Sequence, residues 1–103
     1  MIEEKIKKLR KLIIYRVTHT GTKETDILFN QIIVENITKL DLIELEYLKK
    51  IFDNFTDNEI FLMIIKKKFK QNKIKKIFAK LSSWIITNLL AQLILEMSFF
   101  LFL

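Results

Sequence analysis

The chain has no cysteine, no proline, one glycine and one histidine in 103 residues. Without cysteine there is neither a disulfide framework nor a thiolate metal site. A single histidine, His19, is too few to build a zinc site from the protein alone. With no proline and only Gly21 as a breaker, helices can run on, and turns fall to Asn, Asp, Thr and Lys. A β-sandwich or barrel needs more turn residues than that. A secretory signal is also missing. Residues 1–12 are charged, with Glu3 and Glu4 among them, and no apolar stretch of the required length follows. A mitochondrial transit peptide would be rich in Arg and Ser and poor in acids. The expected location is therefore the cytoplasm. No nucleophile–base pair, metal set or phosphate loop is visible, so the expectation is that the protein is not an enzyme.

Half of the residues are hydrophobic, which is too many for a disordered chain. The net charge of +6 is distributed in blocks. Residues 1–23 carry seven basic and two acidic side chains, residues 24–59 three basic and nine acidic. Residues 60–80 carry eight lysines and no acid. Such a pattern lets the ends fold onto the middle, or lets different faces meet different partners.

Helical periodicity runs through the chain. Ile2, Ile6, Leu9 and Ile13 predict an amphipathic helix over about residues 3–15. A second helix is predicted from Thr22, with Glu24 and Asp26 near its positive end and Leu28, Phe29, Ile32, Ile33 and Ile37 on its apolar face. Asp41 and Glu44 have the spacing of a capping box and start a third helix. Its stripe is Leu45, Leu48, Ile51, Phe52 and Phe55. Thr56-Asp57-Asn58-Glu59 is a second box, directly before the apolar run that begins at Ile60. Ile74, Ile77, Phe78 and Leu81 predict a fifth helix over about residues 71–81. Phe52, Phe55 and Phe61 read as core. The fold class is all-α: a small bundle of about five short helices, with an extra apolar C-terminal helical segment. The expected domains are a helical unit over 1–81 and an apolar tail over 82–103.

The candidate functional stretch is Tyr15-Arg16-Val17-Thr18-His19-Thr20-Gly21-Thr22-Lys23-Glu24-Thr25-Asp26. A lone glycine marks a place that needs φ > 0 or the close approach of another molecule. On the residues alone, Gly21, Thr22 and Glu24 read either as a turn at the start of a helix or as a docking spot. His19 reads as an exposed loop side chain.

These residues resemble the small FAD assembly factors of succinate dehydrogenase, whose mark is Arg-Gly-x-x-Glu followed by x-Asp and an apolar helix. Here Thr20-Gly21-Thr22-Lys23-Glu24-Thr25-Asp26 stands in that place. The family's second motif, Asp-x-Asp-Leu-Tyr/Phe-x-Trp-Ile, is matched by Asp57-Asn58-Glu59-Ile60-Phe61-Leu62-Met63-Ile64. The resemblance covers about residues 9–66. It departs at the motif arginine, which is Thr20, and at the tryptophan, which is Met63. Lysines replace the family's glycine- and proline-bearing turn after the fourth helix. What the resemblance implies is an assembly factor, or chaperone, that promotes covalent FAD attachment to the flavoprotein subunit of succinate dehydrogenase. The resemblance leaves open whether the fumarate reductase flavoprotein is a second partner of the same kind. The implied partner-binding residues are Arg16, His19, Gly21, Glu24 and Asp26. FAD belongs to the partner in this reading, and no cofactor is held stably by the chain.

Two other readings stay open. The lysines of 66–80, interleaved with Phe69 and Phe78, could track a phosphate backbone. Against nucleic acid stands the lack of arginine there, the usual reader of bases. The stretch from Trp84 has the length of a membrane span but is interrupted by Thr87, Asn88, Gln92, Glu96 and Ser98. A charge at bilayer depth costs about 2.5–3.5 kcal/mol, which favours a tail that packs on the bundle or stays loose; the alternative is a membrane contact through 84–103, an interfacial or spanning anchor with the preceding lysines on the lipid surface.

Overall fold

The computed structural model describes residues 1–81. They form five α-helices: α1 (Ile2–Val17), α2 (Lys23–Ile32), α3 (Leu42–Asn54), α4 (Asp57–Lys66) and α5 (Asn72–Leu81). A 3₁₀ segment, Val34–Lys39, links α2 to α3. No strand occurs among the described residues. The expected apolar tail over 82–103, with Trp84, lies outside them. No helix among the described residues is long and apolar enough to cross a membrane.

Both expected capping boxes are formed. The Asp41 carboxylate accepts the Glu44 N–H at 2.8 Å, and Glu44 accepts the Asp41 N–H at 3.0 Å. At α4 the Thr56 hydroxyl accepts the Glu59 N–H at 3.1 Å, and Glu59 accepts the Thr56 N–H at 3.1 Å. Each box satisfies two of the amide donors that a helix start leaves without intrahelical partners.

The second helix is shorter than its apolar spacing predicts. Ile33 and Ile37 are buried as expected, but Ile37 lies in the 3₁₀ segment and not on α2. The Asn36 amide explains the change. It donates to the carbonyls of Gln31 and Ile32 at 3.1 and 3.0 Å, satisfying groups at the end of α2. A side chain that offers the backbone this alternative ends an α-helix locally.

The core is built where the stripes face each other. Val17, Leu28, Phe29, Ile32, Leu45, Leu48, Ile60, Ile74 and Leu81 are almost completely shielded from solvent. Phe29 meets Phe52 edge to face, with ring centroids 5.3 Å apart. Phe52 is buried as predicted, but Phe55 and Phe61 only flank the core and are half-buried. Lys80 pairs with Glu44 at 2.7 Å and fastens α5 to the start of α3. α4 closes on Lys67, whose φ of 54° puts a side-chain-bearing residue in the left-handed region. Glycine usually takes that position.

Candidate functional site

The loop between α1 and α2 is held by one carboxylate. Asp26 accepts both the Thr20 N–H, at 3.1 Å, and the Thr20 hydroxyl. The Thr20 hydroxyl, then its N–H, holds the Asp26 carboxyl below its ordinary value of 3.8. The residue in the place of the family's arginine is therefore tied into its own loop. The next residue, Gly21, has φ +90°, and a Cβ placed on it would meet nothing within 4 Å. The glycine is needed for the turn, and the turn leaves it bare to solvent.

Thr22 starts α2 from extended backbone, but its side chain makes no cap bond. Its hydroxyl donates instead to the Thr25 hydroxyl at 2.6 Å. Glu24 sits between them in the first turn. It is half-buried, and its carboxylate has no hydrogen bond or ion pair among the described residues.

Glu24 faces a cavity of about 480 Å³ lined by Thr20, Thr22, Glu24, Thr25, Thr56, Asp57, Asn58 and Phe61. Four of these come from the first sequence motif and its surroundings, and four from the start of the second. The fold thus brings two stretches, far apart in the chain, to one hollow between the N-termini of α2 and α4. Both helix starts bring positive dipole ends beside the cavity, and at α4 the Thr56 and Glu59 N–H groups are already taken by the capping box.

The other predicted site residues are placed as follows. The Arg16 guanidinium reaches Asp57 at 2.6 Å and lies over the Phe52 ring at 5.6 Å. It ties the end of α1 to the beginning of α4, at the side of the cavity. A pair this exposed contributes about 1 kcal/mol or less to stability. His19 is exposed and stacks on Tyr15, with ring centroids 4.2 Å apart. Its Nδ1 lies 2.7 Å from the Tyr15 carbonyl, so this nitrogen carries the proton. Asp26 does not line the cavity. It borders a separate hollow with Thr18, Ile27, Asn30 and Gln31. Of the five predicted residues, only Glu24 lines the cavity itself. Arg16 flanks it through Asp57, Gly21 adjoins it through Thr20, and His19 and Asp26 set the loop.

Thr56, Asp57, Asn58 and Phe61 were assigned by sequence to a cap and a core. Their second role was signalled only by the order and separation of the two motifs. No cluster of side chains among the described residues could hold a metal ion.

The class defined here is a small helical domain whose two motifs meet at one open, polar cavity. A model of the family described as flavinator of succinate dehydrogenase matches residues 11–85, and the chain belongs to that family. No curated protein and no solved structure matches it.

Proposed function

We propose that this chain is an assembly factor that docks on the flavoprotein subunit of succinate dehydrogenase and promotes covalent attachment of FAD to it. The observation that carries the reading is the joining of the two motif segments at one cavity, with the unpaired Glu24 carboxylate on its wall and the bare Gly21 backbone beside it. A partner's main chain can approach Gly21 closely, and a partner's Arg, Lys or N–H can bond Glu24. Charge-assisted bonds of that kind are roughly twice as strong as neutral ones. Arg16, His19 and Asp26 shape this face. The factor supplies positioning: it holds the partner in the arrangement in which flavin and acceptor side chain react. The flavin is held by the partner, and the chain itself keeps no cofactor.

Complementation tests this. A strain lacking its own factor should regain protein-bound flavin fluorescence on the flavoprotein subunit when it expresses this chain. Glu24→Ala should reduce that signal without changing helicity. No rescue by the chain or by Thr20→Arg would overturn the proposal. Rescue by Thr20→Arg alone would show that Thr20 has replaced a side chain the reaction requires.

A further inference from the structure

We infer that the corner between α4 and α5 binds the anionic headgroup surface of a lipid bilayer through Lys66, Lys68, Lys75 and Lys76. The inference is independent of flavinylation. Residues 60–80 hold eight lysines and no acid. Lys70 pairs with Glu59 at 3.3 Å, Lys80 pairs with Glu44, Lys73 lies over the Tyr47 ring at 5.6 Å, and Lys67 is also engaged. Lys66, Lys68, Lys75 and Lys76 are exposed, and none has an acidic partner among the described residues. Ile74, Ile77, Phe78 and Leu81 turn one side of α5 into the core, so Lys75 and Lys76 project from the other. Lys66 and Lys68 stand at the end of α4, a short connection away from the start of α5. Four exposed cations therefore flank the connection between α4 and α5.

The aromatic residues of this segment decide between a bilayer and a nucleic acid. Phe69 and Phe78 stack on each other with centroids 5.8 Å apart, and Phe78 is buried. Phe55 is covered by Lys70, whose Nζ lies 5.3 Å from the ring centroid. Phe69 and Phe55 each have one face covered and Phe61 lies half-buried on the cavity wall, so no ring stands free as the stacking platform that single-strand binding depends on. There is no arginine in the segment to read base edges. A bilayer surface asks for less: several ammonium groups presented together to an anionic leaflet. The sequence supplies the companion signal. Residues 82–103 carry one charged side chain, Glu96, among mostly apolar ones. A basic cluster beside apolar residues is the composition of two-signal membrane attachment.

The test is co-sedimentation of the full chain with phosphatidylcholine vesicles, with and without phosphatidylserine, at low and high salt. Binding should require phosphatidylserine and weaken as salt rises. Replacing Lys66, Lys68, Lys75 and Lys76 by Gln should weaken it roughly tenfold or more. Replacing Lys5, Lys7, Lys8 and Lys11 on α1 by Gln removes the same charge elsewhere and should change it little. Circular dichroism checks that both variants stay helical, and the salt series on the unaltered chain needs no variant at all. Equal losses from the two variants would overturn the assignment. So would equal binding to phosphatidylcholine alone, or displacement from vesicles by duplex or single-stranded oligonucleotide at matched salt.

Discussion

The two helix starts that frame the cavity differ by one residue in where they place a glutamate. At α4 the order is Thr56, Asp57, Asn58, Glu59, and the glutamate stands three positions after the cap. It folds back to accept the Thr56 N–H. At α2 the order is Thr22, Lys23, Glu24, Thr25, and the glutamate stands two positions after the cap. Thr25 takes the third position, and its hydroxyl is bonded by that of Thr22. One helix start is thus closed by its own side chains, while the other leaves a carboxylate unspent on the cavity wall. A single-residue offset separates a stability device from a binding group.

The broadest way to break this contrast is through the core that both helix starts rest on. Phe29→Ala should lower stability by about 3–5 kcal/mol and disorder both ends together. Thermal melting followed by circular dichroism would measure it. Gly21→Ala meets no neighbouring atom, so its cost is backbone strain alone, about 1–2 kcal/mol. A larger loss in a urea titration would mean that the loop is packed more tightly than its open surroundings indicate. Thr56→Ala should then cost about 1 kcal/mol as a lost cap. Glu24→Ala should leave the melting temperature almost unchanged and act only on flavin attachment. If the two variants lose the same stability, the distinction between the helix starts fails.

Acid should sharpen the picture. The Asp26 carboxyl is held low by Thr20, that of Glu44 by Lys80, and that of Glu59 by the Thr56 N–H. All three lose this environment on unfolding, where they return toward their ordinary values of 3.8 for Asp and 4.5 for Glu. Their stabilisation is therefore complete above about pH 4.5 and is lost as pH falls through the depressed folded values. Thr20→Val removes the hydroxyl but keeps the N–H, and should raise the Asp26 pKa in a carbon-detected NMR titration. An unmoved Asp26 would show that the hydroxyl does not hold the loop.

What could be read from the sequence was what is local in the chain. Both capping boxes lie within four residues, and the stripe of α5 buries all four of its predicted positions. The end of α2 was missed because the Asn36 side chain, not the apolar period, stops the helix. The requirement at Gly21 was legible as a need for positive φ or close approach, and the turn supplies the first. The pairing of Arg16 with Asp57 was not legible. Read by sequence, Arg16 belongs to a partner and Asp57 to the capping stretch of α4, so neither asks for the other. Only the packing of α1 against α3, which lays Arg16 over Phe52, brings it within reach of Asp57.

That pairing has a mechanical side. Arg16 stands beside the hollow and Asp57 on its lining, and charge joins the two, while the core of the bundle is hydrocarbon. Ionic strength loosens the first and leaves the second untouched. Salt therefore weakens this tie between the end of α1 and the start of α4 well before it reaches the packed interior of the bundle.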